Sequence, residues 1–137
     1  MSNVFQQHGA FSWSELMTSD PAAAKEFYGQ LFGWKMEDTP MTGMIYTTIA
    51  AGGQPMGGLT ALPLNAPSMP PTWGIYITVD NVDESAKLAE TLGGKILMSP
   101  MDIPGTGRFS LIQDPQGATF CIISYAPSYS GASSGAS

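Results

Sequence analysis

The sequence predicts an α+β fold built from two βαβββ modules, and two observations support this prediction. First, shifting the chain by 60 residues aligns identical residues without a gap, including Trp13 with Trp73 and Gly33 with Gly93. Second, each copy shows the same order of patterns: a strand, a helix with apolar residues at helical spacing, and three short strands. Neither copy could bury both its sheet and its helix alone, so the two copies are expected to pair.

The first module covers residues 8–62 and begins with a strand over Phe11–Thr18. Asp20-Pro21 predicts a helix start, because a capping side chain precedes a proline that suits the first helical turn. The helix then runs over Ala22–Phe32, and Gly33 ends it as a C-cap glycine. The three strands that follow are predicted over Trp34–Glu37, Met44–Ala50 and Gly57–Ala61.

The second module covers residues 70–126 and repeats this plan with a strand over Trp73–Val79. Its helix is predicted over Val82–Leu92 and ends at Gly93-Gly94. Its remaining strands are predicted over Lys95–Met98, Arg108–Gln113 and Thr119–Ser124. The other segments are a Pro-rich linker at 63–72 and a Ser/Gly/Ala-rich tail at 127–137 that is expected to be flexible.

The composition argues against nucleic-acid and membrane partners. Five basic residues face eleven acidic ones, giving a net charge of −6, and the basic residues do not cluster. No apolar run approaches a membrane span of about 20 residues, and the first ten residues do not resemble a signal peptide. One cysteine, Cys121, excludes an internal disulfide, and one histidine, His8, excludes a three-His metal site. We therefore expect a cytoplasmic protein.

Several motifs identify a resemblance to a known superfamily over about residues 8–126. Glu26–Tyr28, Leu31–Trp34, Val79–Asp83 and Asp114–Gly117 resemble signatures of the vicinal oxygen chelate superfamily. This superfamily includes glyoxalase I, extradiol dioxygenases, methylmalonyl-CoA epimerase, and bleomycin- and fosfomycin-resistance proteins. The resemblance implies that each module curls a mixed sheet into half of a cup that holds the ligand. Further segments that resemble a glyoxalase-like subgroup of unassigned activity are Phe11–Thr18, Trp73–Tyr76 and Asp102–Phe109.

The resemblance also implies a divalent metal, held by His, Glu or Gln side chains at set positions of the strands. Carried over one at a time, the first-strand position falls on Trp13, and its second-module equivalent on Trp73 or Gly74. The last-strand positions fall on about Ala61 and on Cys121. Indole, glycine and alanine cannot ligate a metal, and a lone thiol suits a hard cation poorly. We therefore expect no cofactor and no catalytic metal, with a metal on another ligand set as the alternative.

Strand alternation predicts which side chains face the cup. If Leu16 packs on the helix, then Trp13, Glu15 and Met17 face the opposite side. In the second module, the residues expected to pack on the helix are Ile75, Ile77, Val79, Phe120 and Ile122. Those expected in the cup are Tyr76, Thr78, Thr119 and Cys121, with Tyr46 as a further polar candidate from the first module. This lining predicts a small, largely apolar or aromatic ligand oriented by a few hydrogen bonds.

Several of these residues have both a functional and a structural interpretation. Glu15, with Tyr76, is the candidate for proton transfer, because an apolar cup would raise its pKa; a solvated glutamate at the rim is the alternative. Trp13 and Trp73 could stack on a planar ligand or could simply pack in the core. Arg108 could bind a ligand carboxylate or phosphate, or form a salt bridge with Asp102 or Glu15.

Three functions are compatible with the sequence. The first is binding of a small apolar or aromatic molecule without the usual metal. The second is glyoxalase-like lyase or isomerase activity, or oxygenase activity, on a carbonyl or phenolic substrate, with Glu15 as general base. The third is an interaction subunit with a vestigial cup. Cys121 is expected to be an inert buried thiol rather than a nucleophile, and the chain is expected to form a homodimer.

Overall fold

A computed structural model describes residues 3–41, 44–62, 70–103 and 105–127. The chain divides into two compact units. The first unit is Trp13–Gly74, and the second unit is Met1–Ser12 together with Ile75–Ser137. Residues 63–69 of the predicted linker and 128–137 of the predicted tail lie outside the described residues. In the described part of the chain, neither helix combines the length and the apolar character that a membrane span requires.

The first module forms a mixed sheet in the order β2-β3-β4-β1. Its elements are β1 (Phe11–Thr18), α1 (Pro21–Phe32), β2 (Lys35–Met41), β3 (Met44–Ala51) and β4 (Gln54–Ala61). Strands β2, β3 and β4 pair antiparallel, whereas β1 pairs parallel to β4. Leu16, Ile49 and Leu59 form the buried core, against which Ala24 and Tyr28 of helix α1 pack.

The second module forms a sheet of the same internal order, β6-β7-β8-β5. Its elements are β5 (Thr72–Thr78), α2 (Val82–Thr91), β6 (Lys95–Ile103), β7 (Gly107–Gln113) and β8 (Thr119–Tyr125). Strand β5 pairs parallel to β8, as β1 does to β4. The core cluster includes Val79 and Ile122 from the sheet side, and Val82 and Ala86 from helix α2. The predicted α+β fold of two βαβββ modules is therefore confirmed.

Both helices have a capped N-terminus, and that of helix α1 is the one that Asp20-Pro21 predicts. The Asp20 carboxylate accepts a hydrogen bond from the Ala23 amide at 3.0 Å, and Pro21 occupies the first turn. Gly33 ends helix α1 in the left-handed conformation, with φ of 71°. In the second unit, Asn81 accepts from the Glu84 amide at 3.0 Å.

The internal repeat is offset by 61 residues at the first strand and helix start, not by 60. The N-caps Asp20 and Asn81 are 61 positions apart. At the same offset, Leu16 in the core of the first module corresponds to Ile77, which pairs with the core residue Ile122 of the second module. Because side chains alternate along a strand, a slip of one residue exchanges the two faces. The alignment of Trp13 with Trp73 is therefore wrong as a structural equivalence.

Several element boundaries and one predicted burial also differ from expectation. Strand β2, predicted to end at Glu37, continues to Met41. Strand β6 continues past Met98 to Ile103, because its pairing with β7 shifts register twice and so accommodates Pro100 within the strand. Strand β4 begins at Gln54 rather than at Gly57. Ile75, expected against the helix, is 38% exposed.

Truncating a core leucine of the first unit should cost far more stability than truncating an exposed one. Leu59 is completely buried, whereas Leu31 on helix α1 is 57% exposed. Leu59→Ala is expected to lower the free energy of unfolding by about 2–5 kcal/mol, and Leu31→Ala by roughly 0.5 kcal/mol or less. Urea denaturation of both variants measures the difference, and equal losses would contradict the described core.

Candidate ligand-binding face of the first unit

Three side chains of the first unit form a continuous hydrogen-bonded network on the sheet face opposite helix α1. The Trp13 indole Nε1–H donates to the Tyr46 hydroxyl at 2.9 Å. The Tyr46 hydroxyl donates in turn to Glu15 Oε1 at 2.9 Å. Trp13 and Glu15 are alternate residues of β1 and share one face, while Leu16 points into the core below helix α1. All three side chains of this Trp13–Tyr46–Glu15 network are half-buried.

Gly58 makes the network possible. Strand β4 lies between β3 and β1, and Gly58 pairs with Thr48 on one side and with Glu15 on the other. The Tyr46 side chain therefore crosses β4 at Gly58 to reach Glu15. A Cβ atom on Gly58 would overlap the Tyr46 ring and hydroxyl. The glycine thus provides the space that the tyrosine occupies.

Three further glycines near Gly58 have two different roles. Gly52 and Gly53 have φ of 58° and 80° and connect β3 to β4 as a two-residue turn. Gly57 lies within β4, where a Cβ atom would overlap the Ser14 carbonyl oxygen of the neighbouring strand. The backbones of β4 and β1 therefore approach each other closely at Gly57.

Adding a methyl group at Gly58 should break the network and destabilise the first unit. Gly58→Ala is expected to lower the free energy of unfolding by roughly 1–3 kcal/mol, because the added Cβ overlaps Tyr46. In a Tyr46→Ala background the same substitution should cost much less, since the obstructing ring is gone. Urea denaturation of the double-mutant cycle tests this, and additive losses would exclude the Gly58–Tyr46 overlap as the cause.

Trp73 lies in a different group of side chains from Trp13. Its Nε1–H donates to the Tyr28 hydroxyl at 3.3 Å, and its ring packs edge-on against Tyr28 and Trp34 at centroid distances of 5.5 and 6.2 Å. Tyr28 belongs to helix α1, whose side of the sheet holds the core. The structure therefore does not bring Trp73 to the Trp13–Tyr46–Glu15 network. The first strands of the two modules correspond at an offset of 61 residues, so Trp73 lies on the opposite face of its strand from the one that an offset of 60 would predict. Met17, two residues beyond Glu15 on β1, is half-buried.

In the second unit, the predicted candidates are only partly brought together. Tyr76 pairs in register with Cys121 on β8, and its ring centroid lies 6.4 Å from that of Phe109. Thr119, at the start of β8, is exposed. Thr78, predicted to line the cup, is 3% exposed, and its hydroxyl donates to the Val4 carbonyl at 2.6 Å.

The N-terminal segment explains the burial of Thr78. Gly9 donates its amide to the Thr78 carbonyl at 2.7 Å, and the Thr78 amide donates to Ala10 at 2.8 Å. His8 accepts a hydrogen bond from the Asp80 amide on Nδ1 at 3.0 Å. Sequence patterns do not predict these contacts, because they join residues far apart in the chain: residues 8–10 belong to the predicted first module, yet they bond to Thr78 and Asp80.

Arg108 forms the salt bridge that was the alternative to ligand binding. Its Nε and Nη2 donate to the two carboxylate oxygens of Asp83 at 2.9 and 3.0 Å, and Nη1 donates to Asp102 at 3.0 Å. Asp102 was among the predicted partners, whereas Asp83 was not. The hydrogen bonds from Arg108 hold the pKa of Asp83 below its ordinary value, and those from Asp83 and Asp102 raise the pKa of Arg108.

The contribution of the Arg108–Asp83 pair to stability should disappear in acid. Because the folded-state pKa of Asp83 lies below its ordinary value of 3.8, the stabilisation is complete well above that value and is lost as the pH falls through the lower folded-state value. Asp83→Asn should therefore lower the melting temperature at neutral pH, and this deficit should shrink below about pH 4. Melts of wild type, Asp83→Asn and the neighbouring charge control Glu84→Gln measure it. A deficit that does not change with pH would contradict the ion pair.

The side chains at the family's metal positions do not fit a metal ion. At the first-strand position, the Trp13 indole nitrogen carries a hydrogen that it donates to Tyr46, so it has no lone pair to offer. Ala61 has no donor atom, and Cys121 offers a single sulfur. Among the residues that the structure describes, no three His, Cys, Asp or Glu side chains are grouped so that they could hold a metal.

The two βαβββ modules define a class of fold, and comparison with known proteins identifies the family. Residues 10–122 match the family model described as Glyoxalase/Bleomycin resistance protein/Dioxygenase superfamily. The chain therefore belongs to this superfamily. The solved structure of methylmalonyl-CoA epimerase from Mycobacterium tuberculosis has the same fold, with a TM-score of 0.65 at 16% identity over 93% of both chains.

Curated relatives are similar in sequence but longer than this chain. A Mycobacterium bovis protein provisionally named glyoxylase CFP32 is 39% identical over 115 residues, which is 82% of this chain and 44% of the relative. The anthracycline biosynthesis protein DnrV of Streptomyces peucetius is 34% identical over 128 residues, covering 83% of this chain and 46% of DnrV. The chain thus spans slightly less than half the length of these relatives.

Proposed function

We propose that this protein binds a small, largely apolar or aromatic molecule on the first-unit face that carries the Trp13–Tyr46–Glu15 network, without a catalytic metal. The observation that supports this most directly is the network itself. It combines two aromatic rings with one carboxylate on a half-buried sheet face. Met17 on the same face of β1 adds an adaptable apolar surface. Such a face suits a ligand whose rings pack on Trp13 and whose orientation is fixed by a few hydrogen bonds.

The names of the relatives support a small-molecule role, at the level of chemical class. DnrV is named for anthracycline biosynthesis, and an anthracycline contains a planar, fused aromatic ring system. A planar ring system is the kind of ligand that an indole ring contacts over a large area. The relatives are about twice as long as this chain, so the activity of a whole relative is, for this chain, a proposal.

Proton-transfer catalysis is a second candidate function, favoured by the Tyr46–Glu15 hydrogen bond. A carboxylate held on a half-buried face by a tyrosine hydroxyl can accept a proton from a carbon next to a carbonyl, or from a phenol. The name glyoxylase of the mycobacterial relative agrees with this class of reaction. Turnover that Glu15→Gln abolishes would favour catalysis, whereas affinity without turnover favours binding. The catalytic role of Tyr76, the homodimer and the cytoplasmic location stay predictions.

Binding of a neutral aromatic probe should depend on Trp13 and not on Trp73. The probe N-phenyl-1-naphthylamine becomes fluorescent in apolar surroundings. Each tryptophan is partly exposed and donates its indole N–H to a tyrosine, so the two are matched controls. Trp13→Leu is expected to weaken probe binding by roughly tenfold, which corresponds to the loss of one aromatic packing partner, and Trp73→Leu by less than about twofold. Absence of probe binding, or equal effects of the two substitutions, would contradict the proposal.

A further inference from the structure

We infer that the outer face of helix α1 binds the outer face of helix α2 in a second copy of this chain. Each outer face consists of exposed residues on the side of the helix away from its sheet. Those of α1 include Ala22, Ala23, Glu26, Phe27, Gln30 and Leu31, and those of α2 and its C-cap include Asp83, Glu84, Lys87, Leu88, Thr91 and Leu92. Each member of the first set has its equivalent in the second set at the offset of 61 residues.

Each outer face carries an exposed apolar pair one helical turn apart. On α1, Phe27 and Leu31 are 59% and 57% exposed. At the equivalent positions in the second module, Leu88 and Leu92 are 56% and 69% exposed. Residues four apart lie on the same side of a helix, so each pair forms a short apolar stripe. Contiguous exposed apolar side chains of this kind are typical of protein interfaces.

The α1 stripe has room beside it for a side chain of a packed helix. A groove of about 500 Å³ lies there, and its lining includes Ala23, Phe27 and Leu31. The small Ala23 side chain stands one turn before the large Phe27 ring, and this alternation of small and large residues leaves a hole on the helix surface. Packed helices fit the side chains of one into such holes of the other.

One charged residue borders the middle of each stripe, and the two charges are of opposite sign. These residues are Glu26 on α1 and, at the equivalent position of α2, Lys87. The Glu26 carboxylate accepts a hydrogen bond from the Gln30 amide at 2.8 Å, which keeps it on this side of the helix. Lys87 attracts the Asp83 carboxylate one turn earlier, but that carboxylate is already bonded twice to Arg108. Within the part of the chain that the structure describes, neither Glu26 nor Lys87 forms an ion pair within 4 Å.

Charge selects α2 of the second copy, rather than its α1, as the partner of α1. When two helices pack antiparallel through their stripes, the flanks that carry positions 26 and 87 lie on the same side of the contact. In an α1–α2 contact Glu26 therefore faces Lys87 of the second copy, whereas in an α1–α1 contact it would face another Glu26. Opposite charges across an interface favour association, and like charges oppose it.

The test measures self-association of the full chain by sedimentation equilibrium. At about 0.1 mM, wild type is expected to show at least twice the 14.5 kDa mass of one chain. Glu26→Lys and Lys87→Glu should each weaken association by roughly tenfold, because each places like charges across the contact. An equimolar mixture of the two variants should associate within about twofold of wild type, since the introduced lysine then faces the introduced glutamate. This recovery also shows that both variants are folded.

Matched charge reversals elsewhere separate the contact from an effect of net charge. Glu37→Lys and Lys95→Glu change exposed residues outside the two helices and should alter association by less than about twofold. The two helix variants shift the net charge of −6 in opposite directions, so a general charge effect would weaken association in only one of them. Equal losses in the helix variants and their controls, or no recovery in the mixture, would overturn the inference.

The apolar stripe is tested by a second pair of substitutions. Phe27→Ser should weaken association by roughly tenfold or more, because it removes the largest side chain of the α1 stripe. Phe11→Ser, which removes a 70% exposed ring from β1, is the matched control and should leave association unchanged. A wild type that stays monomeric up to about 1 mM would overturn the inference. Association that Phe27→Ser does not weaken would also overturn it.

Discussion

The absence of a side chain at Gly58 is the constraint on which the polar face of the first unit depends. A side chain on β3 can reach β1 only by passing over the intervening strand β4, and a residue with a Cβ atom would block that path. With glycine there, Tyr46 joins a residue 33 positions away in sequence, Trp13, to the carboxylate of Glu15. The Trp13 indole N–H can only donate, which sets the direction of its hydrogen bond to Tyr46.

Local sequence signals were sufficient for most of the fold, because they act over a few residues. The capping residue Asp20, the proline after it and the glycine Gly33 define helix α1 through short-range hydrogen bonds and backbone preferences. Strand alternation likewise predicted that Leu16 packs below the helix and that Trp13 and Glu15 share the other face. The internal repeat indicated the same arrangement of elements twice, and each sheet has that order.

The features that escaped sequence analysis depend on register and on long-range contacts. A gap-free alignment matched Trp13 with Trp73, but one residue of slip in a strand reverses the faces, and the two indoles bind different tyrosines. Asp83, the partner of Arg108, lies 25 residues before it, so no local sequence pattern indicates that the two residues form a salt bridge. Tyr46 was predicted only as a polar candidate, because its reach over Gly58 depends on the pairing register of β3 and β4.

The hydrogen bonds of the N-terminal segment have a consequence for how the modules can be separated. Residues up to Ser12 belong to the second unit, the chain then builds the first unit over Trp13–Gly74, and it returns to the second unit at Ile75. In covalent terms the first unit is an insertion within the second. If the second module were expressed without the first, Thr78 would therefore lose its backbone hydrogen bonds to Gly9 and Ala10. The boundaries of the sequence repeat therefore differ from the boundaries of the structural units. A circular permutant opened near residue 12 would contain the second unit as one continuous segment.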